Sequence, residues 1–123
     1  MTVFDWHDWI DLAENLLTQD GAAEAHRRCA VSRAYYAVFN LNHSRLLGAG
    51  RIDANPESAH FAVWRELSVN GNAAEKRLAN GAKRLKDART DADYDAAVRH
   101  AHEDALYWVS LARRLVEETD ALS

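Results

Sequence analysis

The sequence has little of what marks a disulfide-bonded, secreted or membrane-spanning protein. Its 123 residues include a single cysteine, Cys29, which excludes an internal disulfide and fits a reducing cytosol. No window approaches the roughly 18 consecutive apolar residues of a membrane span. The first 20 residues contain no Lys or Arg, so they lack the basic start of a signal peptide. We therefore expect a cytoplasmic protein without a membrane segment.

Motifs for metal, cofactor or hydrolase chemistry are also missing. There is no glycine-rich phosphate loop after a strand and no G-x-S-x-G sequence. Glu57-x-x-His60 matches half of a di-iron bundle signature, which needs a second such motif and two further glutamates. Neither a metal nor a cofactor is expected.

The composition is typical of one folded domain. The chain has the length of a single domain, and 48% of its residues are hydrophobic, with four Trp, four Tyr and three Phe. A domain of this size buries about two-thirds of its unfolded surface, which suffices for a core without cross-links. We interpret residues 1–123 as one domain.

Charge is distributed unevenly around a net value of −4. Residues 1–26 carry six acids and no Lys or Arg, whereas residues 75–89 carry six basic residues against Glu75 and Asp87. A basic stripe between acidic neighbours can bind an anion that the net charge would not predict. Two interpretations remain open: a track for a phosphate backbone leading to Arg89, or an ordinary solvated helix face.

Helical periodicity runs through the whole chain, and no strand pattern competes with it. The breaks are Asp20-Gly21, Gly48-Ala49-Gly50 and Asn70-Gly71-Asn72, and Asn55 with Pro56 suits a helix start. The predicted helices are Trp6 to Leu17, Ala22 to Leu47, Pro56 to Ser68, Ala73 to Ala88 and Asp91 to Thr119. The second has two apolar stripes, as expected for a central helix. The fold class is therefore all-α, a four- to five-helix up-and-down bundle.

Three short motifs lie at suggestive positions in these helices. Ser32-Arg33-Ala34-Tyr35-Tyr36-Ala37-Val38-Phe39 is in the middle of the second helix, and Ser58-Ala59-His60 follows the loop after it. Arg89-Thr90-Asp91-Ala92-Asp93-Tyr94 is at the predicted start of the fifth helix. In this order the motifs resemble those of the HEPN family of small helical proteins, and the resemblance spans about residues 5 to 119.

The resemblance implies a helical bundle that forms a homodimer. Many HEPN proteins are metal-independent ribonucleases, often toxins paired with a small nucleotidyltransferase antitoxin. Their active motif is an Arg, four to six further residues and then a His. In that chemistry the His moves a proton during attack of the RNA 2′-hydroxyl, and the Arg stabilises charge on the phosphate.

This chain departs from the family's active motif. Arg89 is present, but the positions where the histidine would follow hold Tyr94, Asp95 and Ala96. His100 would lie roughly 16 Å away along a continuous helix, too far to share one phosphate with Arg89. Arg89 is thus a candidate for anion binding, and His60 is the candidate replacement for the missing catalytic histidine.

The remaining site candidates each have a structural alternative. Arg33, Tyr35 and Tyr36 form a ligand-facing patch with His60 and Arg89, or else Tyr36 packs in the core and Arg33 pairs with Asp93. Cys29 lies three residues after His26 in an apolar stripe, so we expect a core cysteine rather than a nucleophile. The tryptophans are expected in the core. The phosphate- or RNA-binding candidates are Arg33, Lys83, Arg84, Lys86 and Arg89, and the motif residues are Tyr35, Tyr36, Asp93 and Tyr94.

From the sequence we expect a HEPN-type homodimer in an RNA- or nucleotide-directed module, such as toxin–antitoxin or phage defence. Its partners would be RNA or a nucleotide and a nucleotidyltransferase antitoxin. At most it is a metal-independent ribonuclease, and the absent histidine counts against that activity. The alternative is a non-catalytic helical subunit that binds a nucleotidyltransferase or another partner.

Overall fold

The computed structural model describes residues 3–18, 23–54 and 58–122, and these ranges contain helices and no strand. Five helices follow one another along the chain. They are α1 (His7–Thr18), α2 (Glu24–Gly48), α3 (Ala59–Val69), α4 (Ala73–Tyr94) and α5 (His102–Asp120). The predicted all-α bundle is confirmed. In the described part of the chain, no helix is both long enough and apolar enough to cross a membrane.

Helix α2 is the centre of the bundle and contacts all four other helices. Its stripe of Val31, Tyr35, Val38 and Asn42 is fully buried, as the sequence periodicity predicts. Each large apolar side chain buried in this way contributes about 1.5–3 kcal/mol, so Val31, Tyr35 and Val38 add several kcal/mol to the packing of the bundle. The neighbouring stripe is less complete, because Cys29 is exposed. The prediction of a core cysteine is wrong: Cys29 lies in the second turn of α2, outside the buried stripe.

Paired charges fix the directions of the helices. Near the end of α2, Arg45 donates to Glu75 at the start of α4, and Arg28 at the start of α2 contacts the end of α4, so these helices are antiparallel. His7 at the start of α1 contacts Asp120 at the end of α5, which makes that pair antiparallel too.

The connection between α3 and α4 matches its prediction. A side chain at Gly71 would place a Cβ 2.2 Å from the carbonyl oxygen of Leu67, so only glycine fits. Asn72 then caps α4 by accepting from the backbone N–H of Glu75, and the Glu75 carboxylate accepts from the N–H of Asn72. This reciprocal pair ends the turn and starts the helix.

Helix α3 begins later than predicted. Ser58 is its N-cap, and its hydroxyl accepts from the backbone N–H of Phe61 at 3.2 Å. The expected cap Asn55 and the expected first residue Pro56 lie outside the described residues, as does Glu57. The helix buries Val63, Trp64 and Leu67, as its periodicity predicts.

The largest difference from the sequence prediction is the boundary between α4 and α5. The fourth helix does not end at Ala88 but continues to Tyr94, and α5 begins at His102. Arg89, Asp93 and Tyr94 are therefore at the end of α4 rather than at the start of the last helix. Residues 95–101 lie outside any helix, and Arg28 donates to the carbonyls of Asp95 and Val98 in this segment.

Candidate functional site

The candidate site is centred on Arg89, one of the few charged residues in the bundle interior. Only 7% of its surface is exposed. Its Cζ lies 5.3 Å from the ring centre of Tyr35, 5.4 Å from that of Tyr36 and 6.0 Å from that of Tyr94. The last turns of α4 thus place the guanidinium against two tyrosines of α2, where aromatic faces attract a cation.

The guanidinium of Arg89 has incomplete pairing for a buried cation. Its one ion pair among the described residues joins Nη1 to Oδ2 of Asp93 at 3.6 Å, a contact within one helix turn. Its buried Nε has no hydrogen-bond partner in that part of the chain. Arginine is rarely buried without a strong partner, and an unpaired buried donor costs about 1–3 kcal/mol. Arg89 therefore keeps one buried donor, Nε, without a partner in the described part of the chain.

His60, on α3, contacts Tyr35 and is held by three aromatic residues. Its Nδ1 is 2.7 Å from the Tyr35 hydroxyl, and Nε1 of Trp64 donates to the same hydroxyl at 3.0 Å. The imidazole stacks on Phe39, with 4.1 Å between ring centres and 19° between planes. These contacts fix the position and orientation of the ring.

The hydrogen-bond chain defines the tautomer of His60. The indole N–H of Trp64 can only donate, so the Tyr35 oxygen accepts from it. The hydrogen of Tyr35 is then donated to Nδ1 of His60, because otherwise a buried O–H would have no acceptor. Nδ1 is thereby an acceptor, and the proton of neutral His60 is on Nε2. His60 offers an N–H donor to a ligand rather than a lone pair.

The pKa values keep both groups neutral near pH 7. Burial raises the pKa of Tyr35 to about 12, against smaller lowering effects of the Trp64 hydrogen bond and of the Arg89 charge. Burial, followed by the positive charges of Arg89 and Lys86, lowers the pKa of His60 below its ordinary value. An imidazole with a lowered pKa is uncharged at neutral pH. The structure thus brings His60 beside Arg89, as a replacement histidine requires, in a neutral, donating form.

Arg33 lies near its expected partner Asp93, since both contact the Ser32 hydroxyl, but no ion pair joins the two. Its Cζ is 4.5 Å from the ring centre of Trp9 and 5.2 Å from that of Tyr36. Asp93 instead pairs with Arg89 and accepts from the hydroxyl of Ser32 at 3.2 Å. The expected Arg33–Asp93 ion pair is wrong, because stacking on Trp9 holds the Arg33 guanidinium, which reaches only the Ser32 hydroxyl, at 3.5 Å.

The basic residues of α4 divide between two faces. Lys83 and Lys86 line a groove of ≈ 340 Å³ together with His60 and Trp64. Arg84 points to α5, where it donates to the hydroxyl of Tyr107 at 2.6 Å. Of the predicted basic stripe, Lys83 and Lys86 therefore lie beside the candidate site and Arg84 lies apart from it.

A second groove opens where the start of α1, the middle of α2 and the end of α4 meet. Its volume is ≈ 510 Å³, and we call it the aromatic groove, lined chiefly by Trp6, Trp9, Arg33, Tyr36, Asp93 and Tyr94. Tyr94 is 77% exposed. Sequence analysis missed Trp9 and Trp64 as site residues because it placed the tryptophans in the core. The sequence signal that could have identified Trp64 as a site residue is its spacing, since it follows His60 by one helical turn on α3.

His100 is not part of this site. Its backbone N–H donates to Glu24 and its carbonyl accepts from Arg27, both at the start of α2. The imidazole is 4% exposed, and burial lowers its pKa. The break after α4 therefore turns His100 towards the first turn of α2, while the guanidinium of Arg89 faces Tyr35 and Tyr36. The reason that sequence analysis gave for excluding His100, its distance along a continuous helix, does not hold.

Two further findings bear on the chemistry. Within residues 3–18, 23–54 and 58–122, no cluster of His, Cys, Asp or Glu could hold a metal ion. Comparisons of the chain with models of protein families, with curated proteins and with solved structures found no match.

Proposed function

We propose that this chain is a HEPN-type protein of an RNA- or nucleotide-directed module, and that its Arg89 site binds a phosphate group without cleaving RNA. The observation that carries this proposal is the buried guanidinium of Arg89, whose Nε has no partner in the described part of the chain and whose one ion pair there is 3.6 Å long. His60, Lys83 and Lys86 line the groove of ≈ 340 Å³ and add donors there. Hydrogen bonds between charged groups and phosphate oxygens are the strong ones in proteins.

The donor set fits an anion better than it fits proton transfer. A phosphate oxygen can accept from Arg89 and from His60 together, since neither donor has to lose its proton. The carboxylate of Asp93 repels an anion at this site. Phosphate binding therefore requires Asp93 to lose its 3.6 Å contact with Arg89. A salt bridge this long and partly exposed contributes under about 1 kcal/mol, so its loss is a small cost.

Binding of a labelled single-stranded RNA, measured by fluorescence anisotropy at 50 and 200 mM salt, tests the proposal. Arg89→Gln is expected to weaken binding at least tenfold, because hydrogen bonds to a charged group contribute about 1.5–3 kcal/mol. The double variant Lys83→Ala/Lys86→Ala is expected to weaken binding less. It should also make the binding constant depend less on salt: the slope of log K against log salt should fall by about 0.7 for each phosphate that the variant no longer neutralises.

The matched control is Arg114→Gln, since Arg114 is an exposed arginine on α5. It is expected to bind RNA like the wild type. Arg89→Lys, which keeps the positive charge, separates loss of binding from loss of folding. Equal affinity of the wild type and Arg89→Gln, both folded by circular dichroism, would contradict the proposal.

An interaction subunit is a second candidate function, favoured by exposed apolar side chains. Phe61 and Val69 of α3 are 65% and 60% exposed, and Leu106 and Tyr107 of α5 are 43% and 49% exposed. Helix α2, in contrast, exposes only Leu47 among its large apolar residues.

A homodimer or a complex with a nucleotidyltransferase would cover these side chains on α3 and α5. Light scattering at micromolar concentration gives the mass of the isolated protein, and Phe61→Ser is the variant expected to disrupt an interface on α3. A monomer mass for the wild type would exclude the homodimer and leave only a different partner chain.

A further inference from the structure

We propose that the aromatic groove binds the base of a nucleotide whose phosphate is held at Arg89. This inference rests on the proposed phosphate site and names the class of ligand: a mononucleotide or single-stranded RNA. The groove is formed by the start of α1, the middle of α2 and the end of α4. Its volume of ≈ 510 Å³ falls within the range of small-ligand sites.

The groove presents one aromatic ring that is largely exposed and one guanidinium that stacks on a tryptophan. Tyr94 is 77% exposed, and its one ring contact in the described part of the chain is the Arg89 guanidinium at 6.0 Å. The Arg33 guanidinium lies over the ring of Trp9 at 4.5 Å and also contacts the ring of Tyr36 at 5.2 Å. Aromatic rings and guanidinium planes are the groups on which bases stack.

Tyr36 connects the groove to the phosphate donors. The Cζ of Arg33 is 5.2 Å from its ring centre, and the Cζ of Arg89 is 5.4 Å from the same point. Both cations therefore contact the same ring. A ligand that carries a planar group and a negative charge a few ångströms apart, such as a nucleotide, matches this arrangement.

Charge supports an anionic ligand at this place. Arg33 lines the groove, Arg89 packs against its lining residues Tyr36 and Tyr94, and Asp93 is the one acid in the lining. The Asp93 carboxylate is already engaged by Ser32 and Arg89. Paired bases of a duplex are stacked inside the helix and cannot enter, so single strands and mononucleotides are the expected ligands.

Calorimetric titration with adenosine 5′-monophosphate and with ribose 5-phosphate separates the base from the phosphate. The wild type is expected to bind the nucleotide about 5- to 150-fold more tightly than the sugar phosphate, the range given by stacking of one base. Tyr94→Ala is expected to remove much of this difference and to leave the affinity for ribose 5-phosphate unchanged. Tyr94→Phe, which keeps the ring, is expected to retain the preference.

Tyr107→Ala is the matched control, because Tyr107 is an exposed tyrosine on α5, away from the aromatic groove. Equal affinities of the wild type for the two ligands, both lost in Arg89→Gln, would overturn the base site and leave the phosphate site standing. Failure of both ligands to bind would overturn both proposals. Unchanged nucleotide preference in Tyr94→Ala would also overturn the assignment to this groove.

Discussion

Glu75 carries two structural roles in one buried carboxylate. It completes the cap of α4, and it accepts hydrogen bonds from Arg45 at 2.8 Å and from Arg51 at 2.7 Å. Burial acts to raise its pKa, but the hydrogen bonds from Arg51, Arg45 and the Asn72 backbone outweigh burial and lower the pKa to about 2. This carboxylate links the end of α2, the loop after it and the start of α4.

We expect Glu75 to be a main source of acid sensitivity. Because its folded pKa lies below the unfolded value of 4.5, its stabilising effect is present above that value and is lost as the pH falls towards 2. The loss amounts to about 3 kcal/mol of unfolding free energy. Urea unfolding of Glu75→Gln from pH 7 to pH 2 should show lower stability at pH 7 and a shallower decline. Glu117→Gln, at an exposed site on α5, should decline like the wild type.

His7 titrates with the opposite sign. Hydrogen bonds to Asp5 and then to Asp120 raise its pKa above 6.5. Its contribution is therefore complete below about pH 6.5 and is lost as the pH rises through the raised value. The effect is small because the side chain is partly exposed. The thermal midpoint of the wild type should fall slightly from pH 6 to pH 9, whereas that of His7→Gln should lack this component. Identical pH profiles would show that the bridge to Asp120 contributes nothing.

At the scale of elements, the end of α4 depends on one side chain from another helix. Nη1 of Arg28 donates to the carbonyls of Asp91, Ala92 and Asp95 at 3.2, 3.0 and 3.0 Å, and Nη2 donates to that of Val98. The last carbonyls of a helix have no partner inside it. Arg28 supplies that partner and so holds Asp93 and Tyr94 in place for the site.

We expect Arg28→Ala to destabilise the protein by about 2–3 kcal/mol, because several carbonyls lose a charged donor. Hydrogen exchange should accelerate most at amides 95–101 and at the last turn of α4. Arg114→Ala is the control, and its exchange should match that of the wild type. A protein with unchanged exchange in this segment would show that backbone preferences alone end α4.

The contrast between α4 and α2 shows what the sequence could predict. Local patterns predicted the buried stripe of α2 and the break at Asn70-Gly71-Asn72 before α4, since both depend on residues within a few positions of one another. The end of α4 depends on Arg28, more than sixty residues earlier. Residues 95–101 contain neither Gly nor Pro, so nothing local marks a break.

The same reason limited prediction of the site. The motifs named Tyr35, Tyr36, His60, Arg89 and Asp93, and the structure brings these residues together. The actual partners did not follow from them: Arg33 stacks on Trp9, and Asp93 pairs with Arg89. Which charges pair across helices depends on how each helix is rotated about its axis and how deeply it lies in the bundle. Hydrophobic periodicity defines neither with enough precision.

At the scale of the whole molecule, the bundle encloses the site but supplies few groups for proton transfer. RNA cleavage through the 2′-hydroxyl needs a base for that hydroxyl and an acid for the leaving oxygen. Tyr35 has a pKa of about 12, and His60 accepts at Nδ1 and carries its proton on Nε2. His100 faces the start of α2 instead. Tyr35, His60 and His100 therefore offer neither the base nor the acid of this reaction to a phosphate at Arg89, and Asp93 is the carboxylate beside it.

We therefore expect the purified protein not to cleave single-stranded RNA in the presence of EDTA between pH 5 and pH 9. Loss of general acid–base help lowers a rate by roughly 100- to 10,000-fold, so any residual cleavage should not exceed that of His60→Gln. Gel analysis of an end-labelled oligonucleotide measures it, with His60→Gln and Arg89→Gln prepared in parallel to detect contaminating ribonuclease. Rapid cleavage that disappears in both variants, with a pH optimum near neutrality, would contradict the expectation. His60 would then exchange tautomers during the reaction, and the hydrogen bond from Tyr35 would have to break for Nδ1 to take the proton.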